Sequence, residues 1–246
     1  MNFEQCKKAF DQYTSNYDLN QEMVQLKYQH SYVVADLMAE LAFRLELPKE
    51  DILLAKTIGL LHDIGRFEQL KQYHSFDDKN VDHAEASCTY LFEEGHIRDF
   101  VSETKYDAII EKAIRYHNKI EIPEMEERES LFSKMIRDMD KVDIYKQIAV
   151  HFDSVFKAEE VTPEVLELFK KEESIPKSIT KSKSDKVLIF LSFLFNIYFN
   201  PSFDILVETD NFDLFLSTVN VDNHSERLWK KIREICFDKI NKGIGD

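Results

Sequence analysis

A helix that ends in a histidine–aspartate pair most limits what this chain can fold into. Leu54, Ile58 and Leu61 recur at helical spacing, His62-Asp63 closes the run, and Gly65 follows. An apolar helix of this kind is buried, and burying its polar end is costly unless a partner satisfies both side chains. A metal ion is one such partner, since neutral imidazole nitrogen and carboxylate oxygen both ligate divalent metals. Successive residues on a helix point about 100° apart, so the pair cannot grip one ion like a claw. At a helix C-terminus both can reach an ion lying beyond the end, with the aspartate free to span two. Taken alone, the pair equally describes a buried histidine bonded to its neighbouring acid.

Four further residues change that balance. His30 lies upstream in Lys27-Tyr28-Gln29-His30-Ser31. Downstream come His83 in Asp82-His83-Ala84-Glu85, His117 in Arg115-Tyr116-His117-Asn118, and Asp140 in Met139-Asp140-Lys141-Val142-Asp143. This order resembles the HD-domain metal-dependent phosphohydrolase superfamily, over roughly residues 28 to 145. The resemblance implies an all-α fold: an HD-domain helical bundle with a C-terminal helical extension. It also implies a metal centre in which His30, His62, Asp63 and Asp140 hold one ion. Asp63 would bridge to a second ion, held also by His83 and His117. This ligand mix suits a pair of divalent transition-metal ions: iron, manganese, cobalt, nickel or zinc.

The function so implied is cleavage of a phosphate ester or anhydride, a nucleotide among the candidates, by metal-activated water. Asp63, Arg66 and Lys141 are the catalytic candidates. Arg66 stands where a basic residue of HD-type families often contacts substrate phosphate, and Lys141 could neutralise the acids around it. Glu68, His74 and Asp77 are candidates for protonating the leaving oxygen. Two other readings share the pattern: a diiron oxygenase of the myo-inositol oxygenase kind, and a non-catalytic ligand-sensing HD module. His117-Asn118 stands where the HD-GYP subfamily tends to have His-His, and the Gly-Tyr-Pro stretch of that subfamily is missing. Nor can the Glu-Asp pair of the alarmone hydrolases be placed.

Five glycines and five prolines in 246 residues favour helices over a loop-rich β protein. The net charge of −14 argues against a general grip on nucleic acid and poses a question for the small phosphorylated substrate that the resemblance implies. Bound cations would supply the local positive charge that the chain as a whole lacks. Cys6, Cys88 and Cys236 are far apart and odd in number, and no secretory stretch is visible, so reduced thiols and a cytoplasmic location are expected. The apolar run from Val187 to Phe199 is too short to span a bilayer, and no membrane association is expected.

Along the chain, helices are expected at 2–14, 21–45, from Pro48 to His62, at 82–94, at 102–117, and from Pro123 toward Phe156. Residues 64 to 80 read as a polar loop at the mouth of a site. Asp140 and Asp143 can share a helix face, the second as an outer-shell partner or a solvated acid. The lysine-rich segment 177–186 reads as a hinge, either a solvated loop or a phosphate-attracting rim. Helices at 187–199, 201–216 and 225–240 complete a bundle of about nine to eleven, with no sheet required. The expected domains are 1–160, metal-binding, and 161–246, a helical extension packing on it and a candidate surface for a homo-oligomer.

Overall fold

The computed structural model describes residues 2–151, 156–158, 160–221 and 223–245. The fold is all-α apart from one short ladder, and it divides into two compact units, Met1–Asp140 and Lys141–Asp246. No helix among the described residues is long and apolar enough to cross a membrane.

In the N-terminal unit, α1 (Phe3–Thr14) buries Cys6, Phe10 and Thr14, one residue per turn, and Asn2 caps it by accepting from the Gln5 N–H at 3.3 Å. Helix α2 (Glu22–Arg44) buries Leu26, His30, Val34, Met38 and Leu41 in one stripe, so His30 enters the core as part of an otherwise apolar face. Helix α3 (Lys49–Leu61) packs along α2. Gly59 sets how closely: a Cβ there would lie 2.7 Å from the Ala35 Cα and 2.8 Å from the Val34 carbonyl. That approach brings the end of α3 up to His30.

Of residues 64 to 80, only 74 to 80 form the expected loop. Helix α4 (Gly65–Tyr73) starts almost where α3 stops, burying Phe67, Gln69 and Leu70. Gly65 therefore does not end a helix; it opens one, and its lack of a side chain serves packing. A Cβ would lie 2.6 Å from the Ser87 nitrogen of α5 (His83–Cys88). Helix α5 is capped by Asp82 and continues as a single π turn, Thr89–Glu93, before Gly95 at φ 85° ends it as expected. After α6 (Ile97–Phe100), a 3₁₀ turn at Thr104–Tyr106 leads into α7 (Asp107–Tyr116), which packs on α3 and α5. Helix α8 (Glu127–His151) carries Asp140; its expected continuation through 152–155 lies outside the described residues.

In the C-terminal unit, β1 (Phe156–Ala158) pairs in parallel with β2 (Val219–Val221), a ladder of three residues each that the sequence reading did not anticipate. Helix α9 (Pro163–Lys170) precedes α10 (Lys183–Leu191). Within the lysine-rich segment, Lys177–Ile179 forms a 3₁₀ turn and Ser182 closes a capping box with Asp185 at the start of α10. The expected 187–199 helix changes to a 3₁₀ turn at Ser192–Asn196. The expected 201–216 helix is two, α11 (Asn200–Glu208) and α12 (Asn211–Ser217), broken at Asp210 with φ 54°. Helix α13 (Glu226–Gly245) buries Trp229, Ile232, Cys236 and Ile240.

Candidate metal centre

The corner between α3 and α4 carries the site. His62 follows the last residue of α3, and its Nδ1 bonds the Gly59 carbonyl at 2.8 Å. Ser87 of α5 pins this corner. Its hydroxyl accepts from the Gly65 N–H at 2.9 Å and lies 3.1 Å from the His62 carbonyl. The backbone around Asp63 is thus fixed from two directions.

Four histidines converge on Asp63, two at each oxygen. Oδ2 lies 3.5 Å from His62 Nε2 and 3.7 Å from His30 Nε2. Oδ1 lies 3.5 Å from His83 Nε2 and 3.6 Å from His117 Nε2. Asp140 joins the first pair, with Oδ1 3.1 Å from His30 Nε2 and 3.6 Å from His62 Nε2. Five of the six groups are buried, His30 and His62 completely, while Asp140 retains 14% exposure. Two sets of three have ligand atoms close enough for an ion: His30, His62 and Asp140, and His62, Asp63 and His117.

The hydrogen bonds prepare these histidines as ligands. His117 Nδ1 faces the Ile114 carbonyl at 2.6 Å, and His83 Nδ1 faces Asp78 Oδ1 at 2.8 Å. With the Nδ1 proton so engaged on His62, His83 and His117, each Nε2 offers a lone pair to the cluster, the pattern that outer-shell partners impose on metal-bound histidine. His83 Nε2 and His117 Nε2 stand only 3.0 Å apart. Two bare lone pairs at that distance repel, so the arrangement calls for a cation between them. His62 Nε2 and Asp63 Oδ1 are buried without a hydrogen-bond partner. Such atoms are rare in native interiors, and a bound ion is a standard reason for them. The residues present fit a divalent metal.

Protonation points the same way. Burial lowers the pKa of His62 and takes His83 down to about 4, against the upward pull of Asp78, which keeps both neutral. Burial alone would raise Asp63, but the Lys27 charge and the surrounding imidazoles hold it well below the usual carboxylate range. Asp140 is likewise held low against burial by the imidazoles of His30 and His62 beside it.

All six proposed ligands are thus brought together. Arg66 stands beside them, its Nε 3.7 Å from Asp63 Oδ1, and its Nη1 is held by Gln69, the Phe76 carbonyl and Asp78. Lys141 follows Asp140 in sequence, but its ammonium donates to the Asn196 carbonyl at 3.0 Å. The cation placed on Asp63 is Lys27, 2.6 Å from Oδ2, a residue the sequence reading passed over. Its signal was its position three before His30, which puts both on one face of α2. Asp78, which joins Arg66 to His83, was also missed. The structure directs Glu68, His74 and Asp77 elsewhere. Glu68 takes bonds from Tyr17 and Gln72, His74 ends α4, and Asp77 accepts from the Lys79 N–H. Asp143 is buried and bonded by Gln147, not solvated.

A cavity of about 620 Å³ lies beside the cluster, and none of the six ligands lines it. Tyr13, Tyr17 and Tyr90 meet Glu68, Asp82, Glu85 and Glu94 there, with no basic side chain in the wall. Its wall carries no charge that would attract an anion.

The HD domain family model matches residues 28–145, and this segment belongs to the HD domain family. HD domains bind divalent metals, and the superfamily consists mostly of metal-dependent hydrolases. No curated protein and no solved structure matches the chain significantly.

Proposed function

We propose that the chain is a metal-dependent phosphohydrolase with a binuclear centre, cleaving a phosphate ester or anhydride. The observation that carries this reading is the division of Asp63: each carboxylate oxygen faces a different pair of histidines. His30, His62 and Asp140 would hold one ion, His83 and His117 the other, with Asp63 shared. A divalent ion lowers the pKa of bound water from 15.7 to about 7, and two ions can clamp a phosphoryl group, which is the chemistry the metals supply. The chain's own residues do the rest. Asp78 orients His83, the Gly59 carbonyl orients His62, and Arg66 offers its guanidinium at the mouth to the charge that builds on the phosphoryl oxygens.

The test is a panel of phosphate esters, anhydrides and nucleotides offered to protein loaded separately with manganese and with iron. Release of inorganic phosphate that requires metal and is lost in Asp63→Ala is the expected result. Oxygen uptake by the iron form, with no phosphate released from any compound, would overturn it in favour of the oxygenase reading.

A further inference from the structure

Two cations flank the cluster, and solvent reaches them as it reaches Asp140. His30 and His62 are fully buried, whereas Lys27 and Arg66 keep 14% and 11% exposure. Phe76, in the turn after α4, lies under both: Lys27 Nζ is 5.4 Å and the Arg66 guanidinium carbon 5.6 Å from its ring centre. The two cations therefore share one aromatic platform and reach opposite oxygens of Asp63. Arg66 Nε is buried and makes no hydrogen bond. In a chain of net charge −14, two positive groups held together on one ring beside the cluster need a reason. If Lys27 served only to neutralise Asp63, a metal bound to Asp63 would make it superfluous, and its charge would be left for another anion.

Resting on the phosphohydrolase reading, we propose that Lys27 is a substrate-contacting residue which, with Arg66, selects phosphomonoesters over phosphodiesters. A monoester phosphate carries between one and a half and two negative charges at neutral pH and three strong acceptor oxygens. A diester carries one charge and two free oxygens. Two cations beside a metal centre match the first and oversupply the second. Lysine acts as a mobile point charge here and Arg66 as the oriented fork. In the reaction, water forms the new P–O bond and the P–O bond to the alcohol breaks. The leaving oxygen takes up the proton that water gives, no electrons are transferred, and the products are inorganic phosphate and the alcohol.

The experiment compares wild type, Lys27→Met and Lys27→Arg, all manganese-loaded and with metal content measured. The probes are p-nitrophenyl phosphate, bis(p-nitrophenyl) phosphate and, by calorimetry, inorganic phosphate. Wild type should prefer the monoester. Lys27→Met should lose about 10- to 100-fold in kcat/KM on the monoester, mostly through KM, the range that one charge-assisted hydrogen bond spans. Its loss on the diester should be less than about threefold, and inorganic phosphate should bind at least about tenfold more weakly. Lys27→Arg should recover most of the difference, with metal content unchanged throughout. Equal losses on both esters, unaltered phosphate binding, a preference for the diester in wild type, or loss of metal from Lys27→Met would each overturn the proposal while leaving the phosphohydrolase reading in place. A metal-loaded wild type that hydrolyses neither these esters nor any compound of the wider panel would overturn both.

Discussion

Asp63 and Asp185 are both buried aspartates beside helix ends, and they are satisfied in opposite ways. Asp185 lies in the first turn of α10, where free N–H groups point outward. It accepts from the N–H groups of Thr162, Lys181 and Ser182 and from the Thr162 hydroxyl, at 2.7 to 3.0 Å. Asp63 follows the last turn of α3, which presents carbonyls instead. One of its oxygens takes Lys27, and the other takes no hydrogen bond while two imidazole nitrogens face it. A carboxylate saturated by backbone is a fastener. One left open among four imidazoles is free to ligate.

This contrast breaks if Asp185 proves dispensable. Asp185→Ala strands three partly buried N–H groups and should cost about 2 to 3 kcal/mol in denaturant unfolding, with metal bound per folded chain unchanged. A cost below about 1 kcal/mol would remove the fastener from the comparison.

Acid sharpens the other side. In metal-free protein the unfolded chain protonates His83 near pH 6.5, while the folded site resists until about pH 4. Stability from this residue is therefore complete above pH 6.5, falls as pH drops, and stops falling near 4, a loss of about 3 kcal/mol. Asp185, whose pKa is lowered by its backbone donors against burial, loses its contribution only below the usual aspartate range. Denaturant titrations across pH 4 to 6.5 should show a slope that His83→Gln reduces; an identical slope in the variant would contradict the assignment.

A smaller effect follows at Asp78. Asp78→Ala should weaken metal binding by about 10- to 100-fold, because His83 loses the partner that orients it. Competition with a chelator of known affinity measures this, and an unchanged affinity would exclude Asp78 from the outer shell.

Much of this was legible in the sequence because ligand chemistry constrains residue type strongly. Four histidines and two aspartates, on segments whose helical spacing could be read, name a site whatever the loops do. The remainder depended on packing. Helix α4 hid because only Phe67, Gln69 and Leu70 turn inward, which reads as a polar stretch. Gly65 looked like a stop, and only the 2.6 Å approach to Ser87 reveals a contact point. Lys27 is an unremarkable lysine on α2 until α3 delivers Asp63 to it. The β1–β2 ladder is too short for alternation to register, and the break at Asp210 needs a left-handed residue that composition does not announce.

The central claim is that six scattered side chains hold divalent metal through a shared Asp63. Elemental analysis of folded wild type and Asp63→Ala, each incubated with manganese or iron and then desalted, tests it most directly. The account predicts two ions per wild-type chain and none retained by the variant. Folded wild type without stoichiometric metal, or a variant that binds as much as wild type, would contradict it.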